Sequence, residues 1–177
     1  VNPDNYIYLR DDGRIMANLS IYDDLRTGLN FYSTPDSTAR QDLTLSLTQI
    51  NIGEFKRVIP YMPDIEGVIN SEAHYVQTED GMDQISLENN INQLSYNGIA
   101  LGDWALSAVY LPKQTGEQHI NGLIMQNDNE VISIEGSYFP AEAKEQKEDR
   151  IDARMALHHF PLAIANSFIP GKMAMRS

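Results

Sequence analysis

Along most of this chain apolar and polar side chains alternate one by one, a period that puts neighbouring side chains on opposite faces of an extended strand. Between Asp42 and Ile52, Leu43, Leu45 and Leu47 alternate with Thr44, Ser46 and Thr48, giving one apolar face and one hydroxyl face. Ile85, Leu87 and Ile91 repeat the pattern against Ser86 and Glu88, and Trp104, Leu106, Ala108 and Tyr110 repeat it around Ser107. So do Ile132 and Ile134 against Ser133 and Glu135, and Ile151, Ala153, Met155 and Leu157 against Asp152 and Arg154. Each run keeps its apolar set on one side, as a strand with one solvated face does. Asp12-Gly13, Asp80-Gly81, Asn97-Gly98 and Asn127-Asp128-Asn129 fall between runs, and these residue types tolerate the positive φ of tight hairpin turns. The spacing predicts consecutive antiparallel hairpins, roughly ten strands in all. The charged run from Pro140 to Asp149 has no apolar face and reads as a solvated loop or a short exposed helix.

Comparing the chain with itself reveals a repeat. Residues 40–60 match 150–170: Leu43, Leu45 and Leu47 fall on Ala153, Met155 and Leu157, then Ile50 and Ile52 on Phe160 and Leu162. Without a gap, Phe55, Val58, Ile59 and Pro60 fall on Ala165, Phe168, Ile169 and Pro170. Each copy reads as an amphipathic strand, a short helical segment and a proline stop. Segments this short do not persist as isolated helices, so Phe55, Val58 and Ile59, and likewise Leu162, Phe168 and Ile169, are expected to dock on the sheet. Repeats of this kind stack on their neighbours, and with a first residue of Val1 rather than Met the 177 residues read as one fragment, 1–177, of a longer repetitive β protein.

Composition narrows the function. With 13 basic and 25 acidic side chains the net charge is −12 and the pI about 4.6, a field that repels phosphate backbones, so no nucleic-acid partner is expected. The absence of cysteine removes disulfides, thiolate metal sites and cysteine nucleophiles. Hydrophobic residues make up 42% and the mean hydropathy is −0.38, which is lean for a closed globule but fits a sheet with a single apolar face.

Motifs for catalysis are missing from the sequence. Neither a G-x-S-x-G elbow, a phosphate-binding glycine loop nor an H-E-x-x-H pair occurs. The four histidines, His74, His119, His158 and His159, lack the spacing of metal ligands, and the adjacent pair points to opposite faces of a strand. Asp11-Asp12-Gly13 and Asn127-Asp128-Asn129-Glu130 resemble hairpin turns more than calcium loops, whose ligands span twelve positions. Trp104 reads as a member of the apolar face rather than a sugar-stacking platform. The chain is therefore read as non-enzymatic, with no cofactor and no metal.

The second copy, IDARMALHHFPLAIANSFIPGKMAMRS, resembles the recurring segment of the TamB family, the inner-membrane subunit of the translocation and assembly module of Gram-negative bacteria, related to AsmA-like proteins. Phe160, Pro161, Leu162, Asn166, Phe168, Ile169 and Pro170, followed by Gly171, Met173 and Met175, occupy the matching positions. The first copy matches through Val58-Ile59-Pro60, Met62-Pro63-Asp64 and Gly67. Ser167 stands where the family often has proline. The resemblance implies an all-β fold: an elongated antiparallel sheet bent into a trough, the β-taco of bridge-like lipid transfer proteins, with an apolar concave face and one or two short inserted helices. It also implies a periplasmic segment of a protein anchored in the inner membrane, in contact with phospholipid acyl chains. Other parts of the parent would reach an outer-membrane partner of the barrel-assembly type and serve lipid transport and outer-membrane protein assembly. The groove lining is then Leu43, Leu45, Leu47, Ile85, Leu87, Ile91, Trp104, Leu106, Ile132, Ile134, Met155 and Leu157. Two other readings are a chaperone-like module that holds unfolded outer-membrane strands at an open sheet edge and a closed carbohydrate-binding β-sandwich built around Trp104.

Overall fold

The computed structural model describes residues 4–35, 38–141 and 148–160. Ten strands form one antiparallel sheet in which each strand pairs with its neighbours in sequence. They are β1 (Tyr6–Leu9), β2 (Ile15–Tyr22), β3 (Gly28–Ser33), β4 (Gln41–Asn51), β5 (Ile65–Gln77), β6 (Asp83–Tyr96), β7 (Ile99–Pro112), β8 (Gln118–Gln126), β9 (Asn129–Phe139) and β10 (Arg150–Leu157). β1 and β10 occupy opposite edges and do not pair with each other, so the sheet stays open instead of closing into a barrel. This is the all-β, trough-like architecture that the alternation and the resemblance imply.

The turns follow their residue types. Asn97 and Gly98 have φ of 49° and 76°, and Asn127 and Asp128 have 47° and 63°, the pair of positive angles that matches a two-residue turn to the twist of its strands. Gly13, Gly81 and Gly116, also at positive φ, close three longer turns alike: each donates its N–H to the carbonyl three residues back, at Arg10, Thr78 and Lys113.

Bulges bend the sheet toward one end. In β4 the register against β5 slips between Leu47 and Ile50, and in β6 the register against β7 slips between Ile91 and Leu94. An inserted residue bends its strand and increases the local twist. Here Gln49 and Gln93 each adopt φ of 55°. Side chains on the next strand satisfy the displaced amides: Gln49 N–H donates to Asn70 Oδ1 at 3.0 Å and Gln93 N–H to Asp103 Oδ1 at 2.7 Å. β8 and β9 slip at the same end, beside Met125.

A single layer leaves little interior. Among the described residues the buried apolar side chains are Ala17, Ile52 and Val131. Ile52 opens a short 3₁₀ helix, Ile52–Arg57, capped by Asn51 Oδ1, which accepts from Gly53 N–H at 2.9 Å. Docking therefore falls to Ile52. The expectation for Phe55, Val58 and Ile59 is corrected: they are 40%, 73% and 49% exposed. The cause is the helix's early end: it stops at Arg57, so Val58 and Ile59 lie beyond it and have no helical face to share with Phe55. Gly67 permits the close approach, because a Cβ there would stand 3.1 Å from Ile91 Cγ2 and 3.4 Å from Ile52 Cδ1. Leu162, Phe168 and Ile169 lie outside the described residues.

Candidate functional site: the apolar face

Twelve lining candidates on five strands share a surface only if the register aligns them, because directly opposed residues of an antiparallel sheet point to the same face. It does. One transverse row runs Leu45, Ala73, Leu87, Ala108, Gly122, Ile134, Met155; beside it runs Leu43, Tyr75, Ile85, Tyr110, Ile120, Gly136, Ala153. On the other side lies Leu47, Ser71, Asn89, Leu106, Ile124, Ile132, Leu157, and Ile69, Ile91 and Trp104 follow at the bulged end. The bulge in β4 keeps Ile50 on this face despite its odd spacing from Leu47, since Ile50 opposes Ile69. The residues that match across the repeat, Leu43, Leu45 and Leu47 with Ala153, Met155 and Leu157, stand in the same rows six strands apart.

Strands without a long alternating run contribute to the same surface. Leu19 opposes Phe31, and Phe31 opposes Leu45; Ile7 opposes Ala17, and Leu9 opposes Ile15. Ile120 and Ile124 complete it on β8. Only the hairpin register could have found these, because runs such as Tyr6–Leu9 are apolar on both sides.

Among the described residues this face is covered only in part: the 3₁₀ helix docks through Ile52 beside Ile91, and Ala17 is buried. Leu45 is 37% exposed, Ile120 51%, Met155 63% and Leu157 60%, whereas in a globular domain a second layer would shield them. An apolar surface of this extent is a signature of binding. At the bulged end it deepens into a depression of about 170 Å³ lined by Asn89, Ile91, Leu94, Trp104, Ala105, Leu106 and Ile124. The Trp104 indole N–H is already committed, donating to the Leu101 carbonyl at 3.0 Å, so the ring offers its carbon surface. Asn89 is the exception in this wall: its Oδ1 is shut off from solvent and has no hydrogen-bond partner. An acceptor in that state costs about 1–3 kcal/mol.

No family model, no curated protein and no solved structure matches this chain. The geometry of the two faces is thus what bears on its function.

The opposite face is polar and internally bonded. Asp42 Oδ1 lies 2.9 Å from His74 Nε2, Ser46 Oγ donates to Glu72 at 3.2 Å, and Ser137 Oγ lies 2.9 Å from His119 Nδ1. The Arg150 guanidinium sits 4.4 Å above the Phe139 ring. His74 and His119 are partly buried members of these networks rather than plain surface residues, while His158 pairs with Glu130 at 3.4 Å. Among the described residues no group of three or more His, Asp or Glu side chains converges as metal ligands would. The Asp12 turn binds its own backbone, Asp12 Oδ1 accepting from Arg14 N–H, and the Asn127 turn binds β7, Asn127 Oδ1 accepting from Asp103 N–H.

Proposed function

We propose that this chain is a non-enzymatic, TamB-like periplasmic segment of an inner-membrane-anchored protein, whose apolar face shields phospholipid acyl chains in transit between the two membranes. Other parts of the parent would meet an outer-membrane partner of the barrel-assembly type and serve outer-membrane protein assembly. One observation supports this reading: aliphatic side chains from all ten strands share a single face, on which Leu45, Ile85, Ile120, Ile134, Met155 and Leu157 are exposed. Each methylene taken from water contributes about 0.8 kcal/mol, so partial shielding of two chains offsets much of the cost of drawing a lipid from a bilayer. Movement along the face requires weak, repeated contacts without direction, which aliphatic side chains supply. The net charge of −12 keeps the segment from adhering to anionic membrane surfaces.

Leu45→Asp and Met155→Asp test it, read out by crosslinking of a photoactivatable phospholipid. Both positions are already exposed, so the substitutions leave the ladder intact. Crosslinking is expected to fall about tenfold or more; unchanged crosslinking in folded variants overturns the assignment.

A second reading, strand capture at an open edge, is favoured by β10, which pairs on one side only among the described residues. Its eight residues include no proline, one of the devices that blunt edges. Proline scanning along β10 blocks pairing and spares the face, so it separates the two readings. A closed sugar-binding sandwich is not what the described residues form: they supply one sheet, and Trp104 belongs to its apolar face.

A further inference from the structure

We infer that Asn89 marks a polar subsite within the apolar face, one that selects acyl chains carrying a hydrogen-bond donor beside the chain, such as amide-linked or hydroxylated chains, over ester-linked ones. This rests on the reading of that face as a lipid-binding surface. Asn89 lies in the interior of β6, opposite Ser71 on one side and Leu106 on the other, in a row that is otherwise largely aliphatic. Its Oδ1 has lost water and gained no partner, and a buried polar atom in that state calls for a missing partner. The neighbouring depression, about 170 Å³ and bounded by Ile91, Leu94, Trp104, Leu106 and Ile124, is smaller than the roughly 300–1,000 Å³ of a pocket that holds a whole ligand. It fits a segment of chain.

A chain seated there places its own linkage group near Asn89, and the amide reaches it by rotation about its terminal torsion, which is broad. An ester offers only acceptors to the oxygen, whereas an amide N–H or a hydroxyl donates.

The probes are N-dodecylacetamide and dodecyl acetate, identical except for N–H in place of O. The readout is the emission of Trp104, the one tryptophan in the chain and part of the wall of the depression. In the native chain the amide-to-ester ratio of binding constants is expected to exceed that in Asn89→Leu by about tenfold, the size of one net hydrogen bond. Leucine retains the apolar wall, so ester binding persists in the variant and reports that it folds. Equal ratios in the two proteins overturn the subsite while leaving the lipid-binding reading standing. If neither probe alters Trp104 emission in the native chain, the lipid-binding reading fails, and the subsite with it.

Discussion

The two faces of the sheet share one backbone and differ in how their side chains are satisfied. On the polar face His74, Ser46, His119 and Ser20 each meet a partner across the sheet, Ser20 Oγ donating to Asn30 at 2.7 Å. On the apolar face Leu45, Ile85, Ile120, Ile134, Met155 and Leu157 stand in water, and Asn89 has a shielded oxygen with no partner. A sheet that gains nothing from a second layer is held by its hydrogen-bond ladders and cross-strand pairs. Among the described residues the polar face is mostly paired, His119 Nε2 being its shielded atom without a hydrogen-bond partner, while the apolar face leaves those six large side chains exposed. Any ligand of the apolar face also adds stability through mass action.

Filling the apolar face is the strongest way to break this asymmetry after the charge insertions at Leu45 and Met155. Gly122 sits in the central row, and a Cβ there would lie 3.8 Å from its nearest neighbours, an ordinary contact. Gly122→Phe is expected to keep the fold and lower lipid crosslinking severalfold by occupying the groove. Asn121→Phe, one residue away on the polar face, is expected to leave crosslinking within twofold. A similar loss from both would erase the distinction between the faces.

A smaller effect is expected at the bulged end. Asp103 supplies the acceptor for the displaced Gln93 amide, and Asp103→Ala is expected to destabilise the chain by about 1 kcal/mol in denaturant unfolding. No change would mean that water replaces the carboxylate there without cost.

The smallest effect belongs to the far rim, where the apolar rows give way to Tyr75, Gln77 and Asp83. Hydrogen bonds from the Tyr75 hydroxyl at 2.6 Å and the Gln77 amide at 2.8 Å hold the Asp83 carboxyl below its ordinary value and push the Tyr75 phenol up. A depressed carboxyl contributes stability that is full above the unfolded aspartate value of about 3.9 and is lost as pH falls through the lower folded one. Tyr75→Phe is expected to raise the Asp83 value toward that of a free aspartate, as read by NMR titration. An unmoved titration would show that the hydroxyl is not its main support.

Much of this was legible in the sequence because alternation is a backbone property: Leu43, Leu45 and Leu47 declare a two-faced strand without help from their surroundings. Asn97-Gly98 and Asn127-Asp128 declared their turns for the same reason. The bulges were not legible, since glutamine has no preference for the positive φ that Gln49 and Gln93 adopt, and only the slip between neighbouring strands reveals them. Asn89 is visible as the gap in the Ile85, Leu87, Ile91 alternation, but alternation could not show that it shares a row with Ser71, because a row crosses strands far apart in sequence. The first helical segment, expected around Phe55 to Ile59, lies earlier, at Ile52–Arg57, and so docks through Ile52 instead. Its counterpart beyond residue 160 lies outside the described residues.

The central claim is that one face meets lipid and the other does not. Ile134 and Glu135 are consecutive on β9 and point to opposite faces, Ile134 opposing Met155 and Glu135 opposing Arg154. A photo-reactive phenylalanine analogue placed at each position in turn, in chains exposed to phospholipid vesicles, asks the question directly. The account predicts lipid adducts from position 134 and none above background from position 135; equal yields from the two positions would contradict it.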